Sequence, residues 1–299
     1  MSKVYRKRTL FAILGIFILA GLAMAAGQSA ASSSSSGQKI ADGTRPTGLK
    51  PVDAAQFRDI ATNRPRVGKV HLNPLGFDRV NETRARKGKP ALSSSLIRPL
   101  GQDLETAIGP GASPSASPSA SSRSLSSTAL AAALPEPLFA ADLPAVVDNS
   151  ALVHFPPIRD QGLLNSCASF STTYYQLSYM AAYQQGLDIT DNLDNTDKYT
   201  PKWAYTMVNG GTDGGSYILE NYDLIEKHGA ATWAEFPYDA DYLAWCLTPG
   251  PWLNALSVRT NPVQYVYNLD PEDEIGQIKA VLNNGYVLVF GTYVYSWQG

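Results

Sequence analysis

Pro156-Pro157-Ile158-Arg159-Asp160-Gln161-Gly162-Leu163-Leu164-Asn165-Ser166-Cys167-Ala168-Ser169-Phe170-Ser171 is the stretch on which the reading of this chain turns. Gln161 precedes Cys167 by six residues, and a helical pattern follows. Asn165 and Ser166 are both residue types that favour helix N-caps. From there Phe170, Tyr174, Leu177 and Ala181 fall on one helical face. Cys167 then sits in the first turn, where free N–H groups and the positive end of the helix dipole favour a thiolate. A thiolate is the nucleophile that acyl transfer needs, and the Gln161 amide is a candidate donor to the oxyanion formed next. On position alone, the same cysteine also reads as a small buried hydrophobe.

A second constellation follows. Thr200-Pro201 predicts an N-cap with proline at the first helical position, opening a helix through Met207. Asn209-Gly210-Gly211-Thr212-Asp213-Gly214-Gly215 is a loop whose backbone needs glycine's freedom. The next helix carries Ile218, Tyr222 and Ile225 on one face and stops at Gly229, which leaves His228 in its last turn, where the dipole favours a cation. Phe236-Pro237-Tyr238 closes the segment. Taken alone, the glycines fit a plain turn equally well.

Both stretches resemble the papain family of cysteine peptidases. Asp160, Gln161, Gly162, Ser166, Cys167, Phe170 and Ser171 match its active-site segment with the Gln-to-Cys spacing kept. Gly214-Gly215, a helix and Phe236-Pro237-Tyr238 follow in the family's order. Leu164 stands where the family has a disulfide cysteine, Asn165 where it has Gly, Ala168 where it has Trp and Ser169 where it has Ala. The first change implies loss of one family disulfide. The resemblance implies an α+β, papain-like two-subdomain fold, with the helical half present and the β-rich half only begun. It makes Cys167 the nucleophile and Gln161 the oxyanion donor. Gly215 would bind substrate backbone as an added strand, with Gly214 beside it and Ser216 and Tyr217 near the neighbouring side-chain pocket. The family's His and Asn come roughly 130–150 residues after the Cys. His71, His154 and His228 all miss that window, so the base is expected beyond Gly299 and the sequence reads as a fragment of a longer precursor.

The remainder of the chain fits an exported precursor. Lys3, Arg6, Lys7 and Arg8 precede an apolar run ending in Ala23-Met24-Ala25, the pattern of a signal peptide over 1–25; uncleaved, it would anchor the chain in a membrane. Residues 26–108 read as a basic pro-region that includes the serines 32–36; residues 38–100 carry a cluster at Arg84-Ala85-Arg86-Lys87-Gly88-Lys89 and no sustained helical period. Asn81-Glu82-Thr83 fits a glycosylation sequon. Residues 109–142 form a Pro/Ser/Ala-rich linker, and the peptidase-like domain is placed at 143–299, starting at Leu143. The net charge of −2 hides +12 over residues 1–100 and −10 over 151–299. That asymmetry suits a pro-region docking on its own enzyme, or a basic arm binding anionic surfaces.

Cys246 has no partner if Cys167 is the nucleophile. Asp188, Asp191, Asp194 and Asp197 recur at every third residue, but a calcium loop needs alternate ligands and a central glycine, so they read as a solvated loop. Asp270-Pro271-Glu272-Asp273-Glu274 opens a further helix with Ile275, Ile278 and Leu282 buried, ended by Asn284-Gly285, and 286–295 reads as a strand. The expected partner is a polypeptide substrate, with no cofactor, no metal and no nucleic acid, in a secreted or periplasmic setting. Two other classes stay open: an inactive papain-like module that binds peptides, and a surface-anchored binding protein working through its basic arm.

Overall fold

The computed structural model describes residues 16–18, 48–108, 140–266 and 271–291. They form a mixed α+β structure with a four-stranded sheet of order β1-β4-β2-β3, against which α8 (Pro271–Asn283) packs. The strands are β1 (Ile16–Ile18), β2 (Pro65–Val70), β3 (Leu104–Ile108) and β4 (Gln264–Val266). β2 and β3 are antiparallel, while β4 runs parallel to both β1 and β2. The rest of the leader, the serine tether and the linker up to residue 139 lie outside the described residues. Among those described, no helix is long and apolar enough to cross a membrane.

Residues 48–108 contain two helices that the sparse apolar pattern did not announce, which corrects the reading of that segment as lacking helical period. Helix α1 (Ala54–Asn63) opens on a capping box, in which Asp53 Oδ1 accepts from the amides of Ala55 and Gln56 at 2.8 Å and Gln56 Oε1 accepts from the Asp53 amide. Helix α2 (Pro74–Arg86) starts with Asn73 as cap, Pro74 at its first position, and ends with Arg84 and Arg86 in its last turn. The sequon lies inside α2, with the Asn81 side-chain oxygen taken by the Leu92 amide at 2.8 Å.

The central helix begins at Cys167. A short α3 (Cys167–Ser169) runs into π-helical turns over Phe170–Leu177 and on into α4 (Ser178–Gln185), ended by Gly186 at φ 66°. Phe170, Tyr174, Leu177 and Ala181 are all buried, as their spacing predicts. Against this helix pack α5 (Pro201–Val208) and α6 (Ile218–His228), followed by α7 (Pro249–Ala255) and α8 (Pro271–Asn283). The larger core centres on Tyr179, Met180, Trp203, Ile225 and Val281. A smaller one joins Ile60, Ala168, Ile218, Tyr222, Tyr265 and Val289, with Leu49 packed at its edge. Two expectations near the end of the chain are corrected. Ile275 is exposed, Ile278 and Leu282 are half-buried, and Val281 and Asn283 are buried. Residues 286–291 carry a single bridge position at Val289 rather than a strand ladder; the rest of that predicted strand lies outside the described residues.

The N-terminal segment is locked to the end of α8. Asn73 Nδ2 donates to the Asn284 carbonyl at 2.7 Å, Arg79 to the Asn283 carbonyl at 2.9 Å, and Asn284 Nδ2 to the His71 carbonyl at 2.6 Å. Buried Asp103 accepts from the Tyr286 hydroxyl at 2.7 Å, from Asn284 Nδ2 at 2.9 Å and from the Gly101 amide at 3.0 Å. Burial raises its carboxyl above the ordinary carboxylate range. The basic cluster closes on Asp142: Arg84 reaches it at 2.5 Å and Lys89 at 2.6 Å, while Lys87 donates to the Ala141 carbonyl.

The aspartate-rich loop carries its own cation. Lys198 is 1% exposed, and its ammonium donates to the carbonyls of Asp191, at 2.7 Å, and Asp194. Asp188, Asp191 and Asp194 turn back on their own backbones, each accepting from the amide two residues on. Among the described residues no cluster is fit to hold a metal ion.

Candidate active site

Cys167 is the first residue of α3 and a free, half-buried thiol. Ser166 stands at the N-cap position, but its side chain makes no capping hydrogen bond. Ser166 Oγ shares a 2.7 Å hydrogen bond with the Tyr238 hydroxyl, and Asn165 turns to Asp213. Tyr238 also donates to the Gln161 carbonyl at 2.7 Å, and its ring meets Phe170 edge-on at 5.0 Å. Phe-Pro-Tyr thus buttresses the loop before Cys167. Arg159 anchors the start of that loop, stacked 4.3 Å over Trp233 and bonded to Asn195 at 2.7 Å.

A stretch of the N-terminal segment lies across the thiol. Ser216 donates its amide to the Gly48 carbonyl at 2.9 Å and accepts from the Lys50 amide at 3.1 Å, a parallel bridge between Leu49 and Ser216. A methyl on Gly48 would stand 1.7 Å from the Asn165 carbonyl oxygen, and one on Gly215 would stand 2.1 Å from the Gly48 carbonyl oxygen. Gly48 is thus wedged between the loop before Cys167 and the glycine loop. Gly215 also has φ +80°, a conformation that suits glycine.

Burial in this groove raises the Cys167 thiol above its ordinary value, while backbone hydrogen bonds from Ala168, Gly48 and Leu49 act the other way. The dipole argument from sequence expected the opposite direction. With the groove filled, desolvation outweighs the helix N-terminus.

The predicted residues are distributed as follows. The Gln161 side chain donates to the Leu164 carbonyl at 2.8 Å. Gly214 is exposed and Gly215 buried, and the backbone pairing falls on Ser216. Tyr217 opens α6, with the Lys50 ammonium 5.5 Å from its ring centroid. None of the three histidines bonds to the thiol: His71 meets Glu105 at 2.6 Å, His154 meets the Leu187 carbonyl at 2.6 Å, and His228 ends α6.

Asn221, which the sequence reading passed over, ties the groove together. Ser169 Oγ donates to Asn221 Oδ1 at 2.6 Å, and Asn221 Nδ2 reaches Ser216 Oγ at 3.0 Å and the Tyr217 carbonyl at 2.7 Å. Asn221 is fully buried on the apolar face of α6, and a polar residue there was the available signal.

No protein-family profile matches the chain, and no curated protein matches it. Xylellain, a cysteine protease from Xylella fastidiosa, is a solved structure similar to this chain at 19% identity and a TM-score of 0.34. The match covers 50% of this chain and 56% of that one, so this chain spans about half of that protein's length. A likeness this loose leaves function to the chemistry around Cys167.

Proposed function

We propose that this chain is the precursor of a papain-like cysteine endopeptidase that hydrolyses peptide bonds through Cys167. The observation that carries the reading is the peptide backbone lying over the thiol, paired to Ser216 as an added strand. A groove that takes one extended chain in this way is suited to a polypeptide substrate. The Cys167 thiolate would attack the scissile carbonyl. The developing oxyanion would accept from the Cys167 amide and from the second N–H of the Gln161 NH2 group. Loss of the amine leaves a thioester acyl-enzyme, which water hydrolyses. The imidazole that takes the thiol proton lies outside the described residues on this reading.

Residues 26–108 would be the pro-region, held by the Asp142 and α8 contacts, with 48–50 blocking the groove. The Gly48 carbonyl is bonded to the Ser216 amide.

The test is release of peptides from labelled denatured casein by protein expressed from its own gene, before and after limited proteolysis. Release abolished by Cys167→Ala and kept by Cys246→Ala is expected. Equal release by Cys167→Ala sinks the reading. Casein bound but never cut favours the inactive peptide-binding module.

A further inference from the structure

We infer that Asp213 is a positioning residue that sets the width of the groove over Cys167. The inference rests on reading this groove as the substrate cleft. Both cysteines are free, so nothing covalent fastens the loop before Cys167 to the glycine loop across from it. Asp213 does so instead. Its Oδ1 accepts from the Asn165 amide at 2.9 Å and from the Tyr205 hydroxyl, while its main-chain carbonyl accepts from Asn165 Nδ2 at 2.7 Å. The Tyr205 oxygen in turn lies 3.4 Å from the Gly215 amide.

Asn165 and Gly215 are also the two walls that grip Gly48, with imagined methyl contacts of 1.7 Å and 2.1 Å. Asp213 therefore bonds one wall directly and the other through Tyr205, and the gap they leave is one glycine backbone wide. The Ser169–Asn221–Ser216 chain ties the same two sides on the α6 flank. Asp213 holds the side where the chain passes between the walls.

The experiment uses the full-length protein and two readouts: amide hydrogen exchange, and iodoacetamide alkylation of Cys167 followed against pH. Asp213→Ala should speed exchange at Lys50 and Ser216 by about tenfold, the scale of one lost buried hydrogen bond. The Thr200 amide, bonded to the distant Ala231 carbonyl, should keep its wild-type rate. The alkylation midpoint should move down toward that of an ordinary thiol as the segment lifts. Asp213→Asn keeps an acceptor at Oδ1 and should stay within about twofold of wild type. If Asp213→Ala does not fold, Tyr205→Phe removes the hydroxyl that links Asp213 to the Gly215 amide and should raise exchange at Lys50 and Ser216 alone. Wild-type exchange in Asp213→Ala, an Asn variant as fast as the Ala variant, or acceleration that includes Thr200 would each overturn the assignment. Neither readout involves hydrolysis, so the result stands apart from whether casein is cut.

Discussion

Replacing Gly48 by alanine should open the groove. The added methyl would fall 1.7 Å from the Asn165 carbonyl oxygen and 2.1 Å from its carbon. Both are main-chain atoms pinned by the Asp213 bonds, so neither can swing aside, and it is the 48–50 strand that must leave. Leaving breaks the two Ser216 bonds, at 2.9 and 3.1 Å, each worth about 1 kcal/mol net. It also strips the half-buried Leu49 from the smaller core, worth about 1 kcal/mol for roughly half a leucine side chain. The closed state thus loses about 3 kcal/mol, roughly a hundredfold in the population of open groove. Removal of the segment also relieves the burial that raises the Cys167 thiol, so its ionisation should move toward the ordinary value near ~8.5. The assay is iodoacetamide alkylation at neutral pH, read by peptide mass mapping, with buried Cys246 as reference in the same molecule. Cys167 should label far faster in Gly48→Ala than in wild type, and Cys246 at an unchanged rate. Equal Cys167 rates would show that residues 48–50 do not guard the thiol. Faster labelling of both cysteines would mean that the chain had loosened as a whole.

Other perturbations follow from the same contacts. Lys89 and then Arg84 hold the Asp142 carboxyl below its ordinary range; the folded chain binds that proton less readily than the unfolded one. The clamp is therefore at full strength above about pH 4 and is lost as pH falls through the lowered value, so Asp142→Asn should flatten the acid limb of a melting-temperature profile. Asp103 has the opposite sign: its raised carboxyl takes up a proton more readily in the folded chain, and this site should gain stability as pH falls from neutral toward about 4. Tyr286→Phe removes a donor from that buried carboxylate and should cost about 1–3 kcal/mol in urea unfolding. Lys198→Met leaves the Asp191 and Asp194 carbonyls without their donor; the melting temperature should drop, and added calcium should not restore it.

Much of the helical part was legible because its cues are local. Phe170, Tyr174, Leu177 and Ala181 share one buried face, Pro201 opens a helix, and Gly229 stops the one that ends at His228. The N-terminal helices were missed for a physical reason. Apart from Phe57, Ile60, Phe77 and Val80 they offer little apolar rhythm, because much of α1 faces solvent and α2 is held by polar contacts to the end of α8. Their caps, Asp53 with Gln56 and Asn73 before Pro74, were the readable part. The partners of Asn165 and Ser166 were not readable, since both residues look like caps and only the fold brings Asp213 and Tyr238 within reach. The direction of the thiol shift also depended on a distant segment: the backbone that buries Cys167 comes from more than a hundred residues earlier in the chain. Ile275 shows the limit of periodicity, which identifies a face but not how far along the helix that face stays covered.

The contacts between the N-terminal segment and α8 span 181 to 213 residues of intervening chain. Such pairings are entropically the last to close. A ribosome delivers Asn73 and Asp103 long before Asn284 and Tyr286 exist, so this clasp cannot fasten during most of synthesis. Cys167 and Ser216 emerge in between. The nascent molecule therefore passes through an interval in which both sides of the groove are made while the strand destined for it lacks its main anchorage. Folding order, and not only final affinity, decides how long that groove stands open to other chains.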